Sequence, residues 1–238
     1  MWLYYEYLLM AAVVALYVYD SAILLHTNEA VLLPAGGGKW DVRFASDRFS
    51  IRGKDVFIPF LFGHHQPLYR LAWATSQATK VSSWVPPYRS VPGLREFQWG
   101  VALALFVLLP VGLFSRMGNV AIAAAVVLSY LSMIGALSVI WFRKEHLGCS
   151  PRQFAALAFE VLTCPPFALN LTRHLSLARS TGDDMIAVAR TLLAPEQWAQ
   201  TRSRLLERIE QMSAWEEQDS AEYNALVRFR ESLLSETP

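Results

Sequence analysis

Two stretches, residues 97–114 and 120–142, contain no Asp, Glu, Lys or Arg, and residues 115–119 alone separate them. A helix needs about 20 apolar residues to cross a hydrocarbon core of roughly 30 Å. The two runs therefore predict an antiparallel pair of membrane helices joined by a short turn. Pro110 falls late in the first run, where neighbouring helices can satisfy the carbonyl it frees. In the second run Ala123, Ala124, Ala125, Ser129, Ser132, Gly135 and Ala136 recur at helical spacing. Small residues let helix backbones approach closely, so this face predicts a packed helix partner.

A third apolar segment, residues 3–25, opens the chain. No Lys or Arg precedes it, which argues for a retained helix and against a secretory signal. Trp2, Tyr4, Tyr5, Tyr7, Tyr17 and Tyr19 crowd its ends. Such rings favour membrane–water interfaces. Composition agrees: 54% of residues are hydrophobic and 17% charged, against about 25% charged in soluble domains. The net charge of +1 gives no reason to expect a nucleic-acid partner.

Between the first two spans the pattern changes to period two. Trp40, Val42 and Phe44 alternate with Lys39, Asp41 and Arg43. Phe49 and Ile51, then Val56, Ile58 and Phe60, continue the alternation. Turn signals stand at Ser46-Asp47 and at Arg52-Gly53-Lys54-Asp55, and residues 30–34 add a strand before Gly36-Gly37-Gly38. These features predict a β-meander. Residues 63–93 read as an extended interfacial connector, with a short helix over 68–79.

Residues 154–171 are apolar again but carry Glu160 and are broken at Cys164-Pro165-Pro166. They predict an interfacial or re-entrant helix, with a fourth span as the alternative. The last part of the chain is amphipathic. Thr181-Gly182-Asp183-Asp184 resembles a helix start. Met185, Val188, Ala189 and Leu192 form one face; Trp198, Leu205, Ile209 and Met212 form the next. Tyr223, Leu226, Arg230 and Leu233 align on a final helix over 214–234.

The expected fold is thus membrane α-helical, with three transmembrane helices and a candidate fourth, a small cytoplasmic β-meander and a C-terminal helical hairpin. Its segments are a first transmembrane helix (1–26), a soluble β-rich loop domain and connector (27–96), a transmembrane hairpin (97–142), an interfacial or re-entrant helix (143–180) and soluble C-terminal helices (181–238). Lys occurs only at Lys39, Lys54, Lys80 and Lys144, and Arg supplies the other basic residues, a bias of GC-rich bacterial genomes. The expected location is a bacterial inner membrane.

Polar groups in or beside the apolar runs are the candidate functional residues. Asp20 closes the first run, with Glu6 on nearly the same helix face; an intramembrane acid is a functional candidate by default. Two acids about 21 Å apart also suit two opposite interfaces. His64-His65 follows the expected last strand, and neutral imidazole is a common metal ligand. Adjacent histidines seldom ligate one ion, so the simpler reading is polar loop residues. His146, Cys149, Cys164 and His174 are weak zinc candidates, because their spacing is not that of paired ligands. Glu160 faces water on a flat helix, and needs a partner such as Arg173 or His174 on a re-entrant one. Ala35-Gly36-Gly37-Gly38-Lys39 lacks the spacing of a phosphate loop. No cofactor is expected.

These features favour an accessory, assembly or scaffold protein whose cytoplasmic regions bind protein partners, in a membrane complex or homo-oligomer contacting lipid. The alternative is a small membrane enzyme or transporter component using the intramembrane acids or histidines. Lys and Arg cluster in the loop after the first run and again after residue 142, whereas the turn at 115–119 has only Arg116. The positive-inside rule then puts the N-terminus outside and both soluble parts in the cytoplasm. A reporter fused after Pro238 should be active in the cytoplasm; activity confined to the periplasm would refute this topology.

Overall fold

The computed structural model describes residues 2–73, 85–86, 91–116, 118–179, 183–218 and 220–235. It is mostly helical, with small β-sheets. The chain divides into two compact units. One comprises Met1–Ala22, Ile58–Pro67 and Tyr88–Ser176; the other comprises Ile23–Phe57, Leu68–Pro87 and Leu177–Pro238.

The first unit is helical. Helix α1 spans Trp2–Ser21. Helix α2, Leu94–Leu103, runs through a π turn at Ala104–Leu108 into α3, Leu109–Phe114. The wider turn sits just before Pro110, which has no N–H to donate and whose ring crowds the preceding turn. The Leu109 amide accordingly reaches back five residues, to the Ala104 carbonyl. Helix α4, Gly118–Phe142, returns alongside. The runs Leu94–Phe114 and Gly118–Phe142 have 21 and 25 residues, and both are long and apolar enough to cross a membrane.

The small face expected on α4 is real, and its partner is α2 of the same chain. Ala121, Ala125, Ser129, Ser132 and Ala136 are buried, whereas Ala123 and Ala124 point away. The packing is close enough to require glycine on both helices. A methyl group on Gly135 would overlap the Phe97 ring, 2.7 Å from Cζ. One on Gly112 would lie 2.6 Å from Ile122 Cγ1 and 2.9 Å from its backbone nitrogen.

Residues 154–171 form no continuous span. Helix α5, Pro151–Thr163, starts at a capping box: Gln153 N–H donates to Ser150 Oγ, and Ser150 N–H donates to Gln153 Oε1. Its 13 residues cover about 20 Å, short of a hydrocarbon core. Cys164, at φ −135° and ψ 88°, is non-helical, the geometry that a following proline favours. Helices α6, Pro165–Leu169, and α7, Leu171–Leu177, follow.

The second unit holds the strands β1 Ile23–Leu25, β2 Glu29–Gly36, β3 Lys39–Arg43, β4 Ser46–Ile51, β5 Lys54–Phe57 and β6 Tyr69–Ala72. They form two antiparallel three-stranded sheets, ordered β1-β5-β4 and β3-β2-β6. This corrects the simple meander. Residues 23–25 extend the first apolar run in sequence, yet the helix stops at Ser21 and Ile23 pairs with Phe57. Ser46 opens a strand, not a turn. Residues 69–72 are a strand, not a helix, because buried Tyr69 and Leu71 alternate with Arg70 and Ala72. Residues 74–79 of that expected helix lie outside the described residues, as do residues 74–84 and 87–90 of the connector expected over 63–93.

Local signals place the turns well. Gly36, Gly37 and Gly38 all have positive φ, between 60° and 86°, at the β2–β3 turn. Arg52 and Gly53, at φ 53° and 74°, make the two-residue β4–β5 turn. Ile23, Leu25, Val31, Ala45, Phe57 and Leu68 form the core between strands.

Three helices complete this unit: α8 Met185–Leu192, α9 Pro195–Ser213 and α10 Ala221–Ser235. Asp184 Oδ1 caps α8 by accepting from Ile186 N–H at 3.0 Å; Thr181 lies outside the described residues. Helices α9 and α10 pack together as the expected hairpin. On α10 the buried face is Leu226, Phe229 and Leu233, so Phe229 takes the place assigned to Arg230. On α9 the buried residues are Thr201, Leu205, Arg208 and Ile209. Arg208 is the anchor of α9. Its Nη1 donates to Asp55 Oδ2 at 2.9 Å, its Nη2 to the Ala45 carbonyl, and its guanidinium lies 5.7 Å from the Phe44 ring centroid.

Removing one partner of a buried ion pair costs about 3–5 kcal/mol, and overpacking a helix contact costs about 1–3 kcal/mol. Arg208→Ala should therefore destabilise the fold more than Gly135→Leu, each by an amount in its range, in chemical unfolding of the purified protein in detergent. Equal midpoints for Arg208→Ala and the wild type would refute the anchoring role.

Candidate functional site

A cluster of polar side chains in the first unit meets at the C-terminal end of α1. Asn170 is the hub. It caps α6 from a fully buried position. Its Nδ2 donates to Asp20 Oδ2 and to Ser21 Oγ, both at 2.9 Å. Its Oδ1 accepts from Arg173 Nη1 at 2.9 Å. Arg173 Nη2 continues to the Phe60 carbonyl at 2.7 Å. His174 Nε2 lies 3.0 Å from the Asp20 carboxylate. Ser21 Oγ donates back to the Tyr17 carbonyl at 2.7 Å. A second buried amide extends the network: Gln98 Nε2 donates to the Leu169 carbonyl at 2.7 Å, and Gln98 Oε1 accepts from Thr172 at 3.0 Å.

These bonds clasp α1, α2, the 58–67 loop and α6–α7. The amide of Asn170 suits the junction because it donates and accepts at once. Neither Asn170 nor Gln98 was singled out by sequence reasoning. Both were detectable: Gln98 interrupts the 97–114 run and Asn170 the 154–171 run.

Beside the clasp lies an apolar cavity of about 470 Å³. Val14 and Tyr17 of α1, Leu61 and Phe62 of the loop, and Phe106 of the π turn line it. His64 and Trp99 complete the wall. His64 is 3% exposed and meets the Trp99 ring edge-on at 4.9 Å between centroids. His65 lies 6.0 Å from the same ring. The loop that carries them is held by Tyr17, whose hydroxyl donates to the Leu61 carbonyl. Strand β6 follows this loop, so the histidines do not come after the last strand.

Among the described residues, four buried polar atoms have no hydrogen-bond partner: His64 Nε2, His65 Nδ1, Arg173 Nε and Trp73 Nε1. The first three belong to the helical unit. Burial, reinforced by His65 and Arg173, pushes the His64 imidazole down to about 4, so it is neutral at pH 7. The Leu61 backbone opposes this shift only weakly. Burial and the charges of Arg95 and Arg173 lower His65 as well.

The remaining candidates are scattered. Glu160 is exposed on α5, and the residues suggested as its partners, Arg173 and His174, are engaged by Asn170 and Asp20. His146 is exposed, and Cys149 and Cys164 are free thiols. Burial raises the Cys164 thiol, which disfavours its thiolate. Among the described residues no group of three His, Cys, Asp or Glu side chains is placed to hold a metal ion. Comparison of the chain with protein-family models, with curated proteins and with solved structures finds no match.

A histidine whose folded pKa lies below its unfolded value stabilises the fold only while neutral. The unfolded chain takes up protons first, near the ordinary pKa of about 6.5, so stability falls as pH drops from there towards about 4. His64→Phe should flatten the melting temperature of the detergent-solubilised protein across that window. An unchanged pH slope in the variant would exclude His64 as its source.

Proposed function

We propose that this chain is an integral membrane scaffold or assembly protein, anchored by helices α1, α2–α3 and α4, that presents its β-sheets and C-terminal helices to protein partners. The observation that carries the membrane part is the exposure of its most apolar helices. Only 33% of the most apolar window of Leu94–Phe114, and 39% of that of Gly118–Phe142, is buried within the protein. Val120, Leu131 and Phe142 are 70%, 63% and 85% exposed. A core helix of a water-soluble protein would be largely covered. Helix α1 shares this character through Tyr4, Leu8 and Tyr19. Lipid is the solvent such surfaces fit. In this reading the membrane is a bacterial inner membrane, the N-terminus lies outside and the soluble parts lie in the cytoplasm. Helices α5 and α6 then lie at the interface, and three helices cross.

The partner-binding part draws on β4. It is an edge strand of its sheet and leaves Phe49 and Ile51, two residues apart, 58% and 43% exposed. An edge strand with exposed apolar side chains invites strand addition by another chain. The second reading, a membrane enzyme or transporter component, draws on the Asp20–His174 pair.

A photoreactive amino acid at Phe49 tests the first reading in intact membranes. A discrete protein adduct is expected, and it should persist in the Asp20→Asn plus Glu160→Gln double variant with function intact. Adducts to lipid alone would defeat partner binding. Loss of function with the adduct preserved would favour the second reading.

A further inference from the structure

The wall of the cavity between α1, the 58–67 loop and the α2 run is almost wholly apolar. The Tyr17 hydroxyl is spent on the Leu61 carbonyl, and His64 Nε2 is enclosed by the protein. The volume is about 470 Å³. Water is a poor occupant, because apolar cavities of even about 150 Å³ stay dry. Such a space fits hydrocarbon.

The source of the hydrocarbon follows from where the cavity opens. Val14, Leu103 and Val107 line it and are also 44%, 47% and 47% exposed. They belong to the outer surfaces of α1 and the α2–α3 run, so the cavity is continuous with the surface that the proposed membrane covers. Beyond the cavity, Arg95 extends the same wall. Arg95, Trp99, Ala102, Leu103 and Phe106 recur at i, i+4, i+7, i+8 and i+11, which is one face of a helix. Arg95 is exposed, and its charge reaches His64 and His65 of the loop, whose imidazoles it helps to lower. Its acidic neighbour Glu96 is turned about 100° around the helix.

Length agrees with this placement. Arg95 is the second residue of α2, and Val107 follows it by twelve residues, about 18 Å of helix. One leaflet of a hydrocarbon core is about 15 Å thick. A lipid with its head at Arg95 therefore has a chain long enough to pass the cavity as far as Val107. A guanidinium matches a phosphate with paired hydrogen bonds. In the proposed orientation Arg95 faces the cytoplasmic leaflet, where acidic lipids concentrate.

We infer that the cavity binds one acyl chain of an acidic phospholipid of the cytoplasmic leaflet, whose phosphate pairs with Arg95 at the end of α2. The inference rests on the proposed membrane insertion and is independent of partner binding. No covalent step is involved.

The test reconstitutes the full-length protein in phosphatidylcholine vesicles with a trace of phosphatidylglycerol carrying a diazirine midway along one acyl chain. Diacylglycerol with the same chains is the comparison probe. Adducts are assigned to residues by fragmentation, and those at Leu131, on the exposed face of α4, report bulk lipid. Phosphatidylglycerol adducts at Leu103 and Phe106 should exceed those at Leu131 severalfold. One basic side chain near a membrane surface contributes about 1 kcal/mol towards an acidic lipid, so phosphatidylglycerol should label the cavity about fivefold more than diacylglycerol. Arg95→Gln should remove that preference. Val14→Trp, which fills the cavity, should lower its adducts to the Leu131 level. Melting curves confirm that the variants are folded, and Arg95→Gln, at an exposed position, decides the matter if Val14→Trp is not. Adducts at Leu131 without enrichment in the cavity would overturn this inference alone. So would equal labelling by the two probes, a preference that survives Arg95→Gln, or enrichment that survives Val14→Trp. Absence of adducts at Leu131 and the cavity alike would overturn membrane insertion, and this inference with it.

Discussion

The hydrogen bonds of Asn170 hold the helical unit together. One side chain with no exposed surface joins Ser21 and Asp20, 149 and 150 residues away in sequence, to Arg173. The energetic logic is asymmetric. Each bond contributes only about 1 kcal/mol net when made, but losing the amide would take one partner each from a carboxylate, a hydroxyl and a guanidinium nitrogen at once. The short helices α6 and α7 are too brief to be stable through their own backbone bonds, so they depend on these contacts together with those of Gln98. The proline pair that breaks the 154–171 run therefore has a structural purpose. It ends α5 and turns the chain so that Asn170 reaches α1.

The hairpin of α2–α3 and α4 depends on a different principle. In the proposed membrane setting there is no hydrophobic gain from bringing two apolar helices together, so association rests on close packing. The glycines supply it. Gly100 meets Ser132, Gly135 meets Phe97 and Gly112 meets Ile122, in each case with no room for a methyl group. The α4 face made of Ala125, Ser129, Ser132 and Ala136 is thereby consumed within the chain. It is not free to recruit a second copy, and any partner of this hairpin must use the larger side chains that α4 turns outward.

How much of this could be read from the sequence varies with the range of the interactions. The apolar hairpin and the β2–β3 and β4–β5 turns are local, and their residues announce them. Strand β1 is not local. Ile23–Leu25 continues an apolar run, and only its pairing with β5, some thirty residues on, shows that it is a strand. Strand β6 is hidden for the same reason, since it pairs with β2 and not with a neighbour in sequence. At the candidate site, Asp20 and His64 stand out as polar groups beside apolar runs. His64 drew attention as a metal ligand, and the structure gives it a different environment: a sealed imidazole at the wall of an apolar cavity. Gln98 and Asn170 escaped because amides carry no charge, although each interrupts an otherwise apolar run.

The distribution of satisfied and unsatisfied polar atoms separates support from function. Every polar group of the clasp around Asn170 finds a partner except Arg173 Nε, and a saturated network rigidifies without needing a ligand. The histidines a few residues from Phe60 are the opposite case. They belong to the loop that Arg173 and Tyr17 hold in place, yet each keeps a buried nitrogen unpaired. A fold that satisfies an amide across 150 residues has the means to satisfy two imidazoles. Both nitrogens are enclosed as well as unpaired, so this loop carries a polar cost that its neighbours do not offset.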